Sequence, residues 1–82
     1  MNKKTLKNIE RKRYRICKTI DEKNFAVICD CDNFNMFSYD DFEVIITTTN
    51  YNKEPGIEEK ILFHNLRIET LNQDGTYGVN KK

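Results

Sequence analysis

Residues 14–31, YRICKTIDEKNFAVICDC, alternate apolar and polar side chains on both sides of a polar segment at residues 21–24. Alternation with a period of two is typical of a half-buried β-strand. A cluster of Asp, Glu, Lys and Asn between two such runs indicates a turn. The stretch therefore predicts a β-hairpin around which the other strands are arranged.

The register of this hairpin is predicted by pairing Ile20 with Phe25 across the turn. That register places most apolar side chains on the core face, with Lys18 among them. They are Tyr14, Ile16, Ile20, Phe25, Val27, Cys29 and Cys31. On the other face it sets Arg15 opposite Asp30 as a cross-strand ion pair. A slip of one residue scatters the apolar set over both faces, so we prefer the first register.

The remaining segments read as further short strands. Residues 42–51 predict a strand, residues 52–56 a turn, and residues 57–63 the partner strand. With residues 53–56 as the loop, Thr48 lies opposite Ile61 and, two residues earlier, Ile46 lies opposite Phe63. The apolar parity then changes, which indicates a bulge or bend at His64 and Asn65. Asp74 and Gly75 predict a tight turn between strands at residues 66–71 and 76–80.

Two segments allow helical interpretations. Ser38 with Asp41 three residues later resembles a capping box, which predicts one helical turn at residues 39–43. Pro55 followed by two glutamates resembles a helix start, so a helix over residues 57–71 is the main alternative. We expect an all-β fold, or β-rich α+β, as a small antiparallel barrel or curved sheet of five to six short strands.

The charge distribution is asymmetric. Residues 1–15 hold seven Lys or Arg and one acid, whereas the whole 82-residue chain has a net charge of only +1. We therefore divide the chain into a basic N-terminal arm or short helix, residues 1–12, and a single small β domain, residues 13–82. The arm is a candidate nucleic-acid-binding site, because long cationic side chains contact phosphates. Its residues are Lys3, Lys4, Lys7, Arg11, Lys12, Arg13 and Arg15.

A second candidate surface combines acids with aromatic side chains in residues 30–43. Exposed aromatic residues anchor partner proteins, and carboxylates steer a basic partner. The candidate partner-binding residues are Asp32, Phe34, Phe37, Tyr39, Asp40, Asp41 and Glu43. The alternative is that Phe34, Phe37 and Phe42 close the end of the core and the acids are only solvated. Separately, an exposed edge at residues 47–51 is a candidate for pairing with a second copy as a homodimer.

Catalytic and metal sites find little support in this chain. Nucleophilic catalysis needs a base beside the nucleophile, and the one serine, Ser38, and the one histidine, His64, have simpler roles as a cap and a bend residue. We expect no enzymatic activity and no cofactor. Cys17, Cys29, Cys31 and His64 are the ligand types of a Cys₃His zinc site, but the predicted register puts Cys17 on the opposite face from the other two thiols. A zinc-stabilised domain is accordingly the third hypothesis.

The sequence analysis thus favours a non-enzymatic protein-binding module. In general style it resembles the accessory proteins of phages and mobile elements, which suggests an inhibitor of a host nucleic-acid-handling protein. The alternative is a small nucleic-acid-binding protein that uses the basic arm. Three cysteines, an odd number, and no apolar span or signal-peptide block indicate the cytoplasm of a bacterial or host cell and no membrane partner.

Overall fold

The computed structural model describes residues 11–51 and 54–79, and in this part of the chain every regular element except one short 3-10 turn is a β-strand. The strands form two antiparallel sheets that are not closed into a barrel. This confirms the all-β prediction and selects an open pair of sheets over a barrel. The predicted N-terminal helix or arm falls almost entirely on residues 1–10, outside the described residues.

The first sheet has four strands in the order β2-β1-β6-β7. Their bounds are β1 Tyr14–Thr19, β2 Phe25–Cys31, β6 Leu66–Leu71 and β7 Tyr77–Gly78. The second sheet has the order β3-β4-β5. Its strands are β3 Asn33–Ser38, β4 Glu43–Thr49 and β5 Glu58–Leu62. Residues 11–51 and 54–79 therefore contain seven strands instead of the five or six predicted, because the irregular segment after Asp32 is itself a strand.

The chain passes from one sheet to the other at Asp32, the single residue between β2 and β3. The Asp32 backbone N–H donates to the Thr49 carbonyl oxygen (3.1 Å) and to Asn50 Oδ1 (3.2 Å). In return, Asp32 Oδ2 accepts from the Tyr51 N–H (2.8 Å). These contacts hold the corner against the end of β4 and satisfy the backbone where the ladder is interrupted.

The hairpin β1–β2 is present, but its register changes in the middle. Tyr14, Arg15 and Ile16 pair with Cys31, Asp30 and Cys29 as predicted. Beyond Ile16 the ladder shifts by one residue, so Cys17 faces Val27. Ile28 is the extra residue of this β-bulge.

The bulge reverses the predicted facing of the residues near the turn. Phe25 and Val27 share the face of Cys17 instead of the core face, and they are 43% and 51% exposed. Ile20 is 66% exposed. The prediction that these three side chains point inwards is therefore wrong, because it assumed an uninterrupted ladder. The predicted contact between Arg15 and Asp30 is confirmed, with two hydrogen bonds of 2.8 and 3.1 Å.

The core lies between the two sheets. Its fully buried members are Ile16 and Cys31 from the first sheet and Ile46 and Ile61 from the second. Partly buried side chains pack around them, including Tyr14, whose ring meets the Phe34 ring edge-on at 5.1 Å. Burying a side chain of this size contributes roughly 1.5–3 kcal/mol. This small apolar layer therefore holds the two sheets together.

The β4–β5 pairing keeps the predicted facing with a different register. Ile61 pairs with Val44 and not with Thr48. The loop is longer than predicted, since Thr48 is bonded to Ile57 through N–H···O at 3.0 Å. A displacement by four residues is even, and so Ile61 still points to the core beside Ile46.

The helical interpretations are wrong. Residues 57–71 form β5, the 3-10 turn Phe63–Asn65 and β6, so the predicted bend at His64 and Asn65 is confirmed as a 3-10 turn. Residues 39–42 form a tight turn held by Asp40, with no helix and no cap from Ser38. No helix in the described part of the chain is long and apolar enough to cross a membrane.

Three aspartates, which we term the turn carboxylates, hold the tight turns. Each accepts hydrogen bonds from the residues that follow it, and this lowers the pKa of each carboxyl. They are Asp21 in the β1–β2 turn, Asp40 in the β3–β4 turn and Asp74 in the β6–β7 turn. Beside Asp74, Gly75 has a φ of 90°, a conformation that favours glycine.

Charged side chains on the outer face of the first sheet contact one another and neighbouring aromatic rings. Glu69 is only 4% exposed there, and its Oε2 accepts from Arg67 Nε at 2.8 Å. Arg15 pairs with Glu69 across the β1–β6 ladder and stacks over the Tyr77 ring at 4.1 Å. Arg67 stacks in the same way on Phe25 (4.6 Å). Guanidinium groups thus cover a buried carboxylate and join β7 to the rest of the sheet.

Candidate partner-binding surface

An open cleft of about 340 Å³ lies where the β3–β4 turn approaches the 3-10 turn. Its apolar lining consists of Met36, Phe42, Val44 and Phe63. The Phe63 N–H donates to the Phe42 carbonyl oxygen at 2.8 Å, which fixes the two backbones together. The two residues nevertheless remain 72% (Phe42) and 58% (Phe63) exposed. The cleft therefore presents two large apolar side chains to solvent from backbone segments that a hydrogen bond joins.

Three acids of the predicted surface line this cleft: Asp40, Asp41 and Glu43. Their roles differ. Asp40 Oδ1 accepts from the backbone N–H groups of Phe42 and Glu43, both at 2.8 Å, so this carboxylate shapes the turn. Asp41 is exposed and makes no hydrogen bond or ion pair within the described residues. Asp41 is consequently the carboxylate that is most available to a partner.

Phe37 and Tyr39 lie on the outer face of the second sheet, around the edge from the cleft. Phe37 pairs with Ile45, which pairs in turn with Lys60 on β5. Lys60 Nζ lies 4.1 Å from the centre of the Tyr39 ring, a cation–π contact. Both aromatic rings are 55% exposed. The surface therefore continues from the acidic cleft onto an aromatic strip.

The other two predicted residues lie elsewhere. Phe34 is half-buried against Tyr14 and belongs to the core, as the alternative interpretation proposed. That same alternative is wrong for Phe37 and Phe42, which do not cover the end of the core and are largely exposed. Asp32 lies at the corner between the sheets, at the opposite end of β3 from Asp40 and Asp41. The structure thus gathers five of the seven predicted residues at one end of the second sheet.

Sequence reasoning missed Phe63 as a member of this surface. It placed Phe63 opposite Ile46 in the core, whereas the 3-10 turn starting at Phe63 rotates this ring into the cleft. The change of apolar parity between Phe63 and Leu66 was the available signal. Met36 was a second omission. It faces Ile46 across the ladder, yet it is 43% exposed at the margin of the core.

The described cations of the basic arm are mostly engaged within the protein. Lys12 Nζ lies 2.9 Å from Glu54 Oε1, and Arg15 forms its two bonds with Asp30. Arg11 lies over the Tyr77 ring at 5.1 Å. Arg13 is exposed. Lys3, Lys4 and Lys7 lie outside the described residues.

The cysteines do not converge. Cys29 and Cys31 face the core, whereas Cys17 lies on the outer face of the first sheet beside Arg67 and Glu69. All three thiols are free, and burial raises the pKa of Cys17 to about 11 and that of Cys31 to about 12. A thiol must lose its proton to bind a metal or act as a nucleophile. No cluster of metal-ligand side chains is present among residues 11–51 and 54–79, and His64 is exposed on the 3-10 turn.

The edge proposed for self-association is not an edge. Residues 47–49 belong to β4, which is the central strand of the second sheet and is bonded on both sides.

Comparison with protein-family models, with curated proteins and with solved structures finds no match for this chain.

Proposed function

We propose that this protein is a non-enzymatic binding module that captures a basic protein surface in its acidic-aromatic cleft. The observation that carries the proposal is the cleft itself, in which the largely exposed rings of Phe42 and Phe63 stand beside Asp41. Large apolar side chains held on a rigid backbone are the usual anchors of protein interfaces. They are costly to leave in water, and a partner that covers them gains their burial.

The charge of the cleft selects the partner. Asp40, Asp41 and Glu43 line the cleft, and Lys60, a cation whose charge acts on Asp40, lies over the Tyr39 ring on the outer face of the sheet. A cationic surface of the kind that holds nucleic acid would be steered to these acids, with carboxylates taking the place of phosphates. Inhibition of a host nucleic-acid-handling protein, as by a phage-like accessory protein, is the activity that this arrangement supports. Three free thiols support action in a reducing compartment such as the cytoplasm.

The proposal is tested by capture from lysate of the source cell with single variants and quantitative mass spectrometry of what is retained. Asp41→Lys reverses the available charge, and Phe42→Ala removes a 72% exposed ring. Both changes leave the core and the Asp40 turn bonds in place, so we expect normal folding. Proteins retained by the wild type should be lost with both variants.

Glu22→Lys is the matched control, because it makes the same charge change in the exposed β1–β2 turn. It should retain the same proteins as the wild type. A retained set that is identical for the wild type and all three variants would refute the proposal. Release of the captured protein by added RNA would identify its basic surface as a nucleic-acid site.

A further inference from the structure

The edges of the two sheets are protected unequally. β5 ends the second sheet with Glu58, Glu59 and Lys60, and charged side chains discourage pairing with a further strand. β7 ends the first sheet with only two residues, and β2, at its other end, is interrupted by the bulge at Ile28. Short length and bulges protect an edge in the same way.

β3 has none of these protections. It is the outer strand of the second sheet and contains six residues, NFNMFS, with no charge and no proline. Its ladder with β4 runs from Asn33↔Thr49 to Ser38↔Val44 without a register shift. A regular, uncharged edge of this length is a template for another strand.

The hydrogen-bonding pattern identifies which backbone groups the edge offers. The Tyr39 N–H donates to the Glu43 carbonyl oxygen at 2.9 Å, and in an antiparallel ladder the bonded positions alternate. Asn33, Asn35 and Phe37 are then bonded to β4. The backbone groups of Phe34, Met36 and Ser38 point away from the sheet. Consistently, the Phe34 N–H is bonded to its neighbour's side chain, Asn33 Oδ1, at 2.9 Å.

Acidic residues stand at both ends of this edge. Asp32 precedes β3 directly, and Asp40 and Asp41 follow it within three residues. A six-residue strand spans about 20 Å. A second copy added antiparallel and centred on Met36 would bring the Asp40 turn of each chain to the Asp32 corner of the other. That meeting of like charges disfavours a homodimer.

We propose that β3 receives an extended segment of the partner as a fourth strand of the second sheet, and that this segment is uncharged in its centre and carries Lys or Arg at both ends. The inference rests on the proposed function, because the acidic cleft adjoins one end of the edge. Main-chain hydrogen bonds to Met36 and Ser38 provide affinity, and the two acidic ends select the charge pattern.

The probe is a labelled synthetic peptide, Arg-Lys-Val-Thr-Val-Thr-Val-Lys-Arg, with binding followed by fluorescence anisotropy at low salt. Met36→Pro removes the outward N–H and leaves the ladder with β4 intact, since proline is tolerated on an edge when its missing donor faces solvent. Met36→Ala is the matched control, because it removes the side chain and keeps the N–H. Because the Met36 side chain also lines the cleft, the two variants are compared with each other, and we expect Met36→Pro to bind at least about tenfold more weakly than Met36→Ala.

A second measurement needs no change in the protein. The same peptide, N-methylated at its five central residues, keeps its side chains and charges and loses its backbone donors. It should bind the wild type at least about tenfold more weakly than the unmethylated peptide. A version with Glu at both ends should bind more weakly still.

Three results would overturn strand addition. They are no binding of the basic peptide by the wild type, equal binding by the Met36→Pro and Met36→Ala variants, and equal binding of the methylated and unmethylated peptides. A wild type that is dimeric in light scattering and a Met36→Pro variant that is monomeric would assign the edge to a second copy instead. If Asp41→Lys and Phe42→Ala abolish capture and Met36→Pro does not, the binding module stands and this mode of binding fails.

Discussion

Replacing Gly56 by alanine should destabilise the protein strongly, although this glycine has no unusual φ. A Cβ at position 56 would overlap the Thr48 carbonyl oxygen and lie 2.7 Å from the carbonyl carbon. Thr48 cannot yield, because it is buried in the central strand and bonded to Ile57. The loop that follows β4 would have to move away.

The size of the effect follows from what that movement breaks. The Ile57 N–H donates to Thr48 Oγ1 at 2.9 Å, and the Thr48 N–H donates to the Ile57 carbonyl oxygen at 3.0 Å. Each such bond contributes about 0.5–1.5 kcal/mol, and overpacking typically costs about 1–3 kcal/mol. We expect Gly56→Ala to lower the free energy of unfolding by about 2–4 kcal/mol. A domain of this length has roughly 4–12 kcal/mol in total.

Urea unfolding followed by circular dichroism measures this change, with the other two glycines as internal references. Gly75→Ala places a side chain at a φ of 90° and should cost about 1–2 kcal/mol. Gly78→Ala meets only Asn72 Nδ2 at an ordinary 3.5 Å and should stabilise by about 0.4–1 kcal/mol through the unfolded chain. For Gly56→Ala the midpoint should fall by at least about 1 M urea.

The ranking is what tests the reasoning. Gly56→Ala must be the least stable of the three variants, and Gly78→Ala at least as stable as the wild type. A Gly56→Ala variant as stable as the wild type would show that the loop does not lie against Thr48. The pairing of Thr48 with Ile57 at the end of the β4–β5 ladder would then be incorrect.

Three other consequences are open to direct measurement. Ile46→Ala should lower the free energy of unfolding by about 2–5 kcal/mol because Ile46 is fully buried, whereas Ile45→Ala on the outer face of the same strand should lower it clearly less in the same urea assay. Equal losses of stability would contradict the facing of β4. The turn carboxylates have folded pKa values below the ordinary 3.8, so their contribution to stability is complete above that pH and is lost as the pH falls through the lower folded values. The urea midpoint of the wild type should therefore be lower at strongly acidic pH than at neutral pH, and this difference should be smaller in a variant with Asn at all three positions. Because burial raises the pKa of Cys17 to about 11 and that of Cys31 to about 12, neither thiol should react readily with iodoacetamide at about pH 8 in the native protein. Both thiols should react in concentrated urea. Mass spectrometry of the alkylated peptides measures the labelling, and rapid labelling of the native protein would contradict the burial of these thiols.

The pattern of alternation predicted the fold class and the strand facing better than it predicted pairing. Ile46 and Ile61 were correctly placed on one face even though their register was wrong by four residues. A displacement by an even number of residues leaves the facing of the side chains unchanged, so side-chain alternation alone does not determine the register. The length of the loop between the two strands determines the register, and no residue pattern in positions 50–56 indicates a long loop.

The bulge was harder to predict than the register. The chain uses one register at Ile16 and the register slipped by one at Cys17, whereas sequence reasoning compared the two as exclusive alternatives. The slipped part lets Phe25 stack under Arg67, a contact between residues 42 positions apart. Local alternation contains no information on such a distant partner.

Sequence analysis found those members of the candidate surface that lie in one short segment of the chain. Asp40, Asp41 and Glu43 are close in sequence, so the β3–β4 turn necessarily brings them together. Phe63 comes from another part of the chain and joins them only through the 3-10 turn. The core role of Phe34 likewise depends on Tyr14, which is 20 positions earlier.

The buried carboxylate of Glu69 has a consequence for how errors in assembly are rejected. In the native ladder Glu69 lies on the polar side, opposite Arg15 and bonded to Arg67. If β6 paired with β1 one residue out of step, Glu69 and Arg67 would both turn into the apolar layer beside Ile16, and Glu69 would lose Arg15 opposite it. Transfer of two charged side chains into an apolar layer is costly even when they pair with each other. The pair of Glu69 and Arg67 therefore acts as a proofreading element against misaligned assembly of the first sheet.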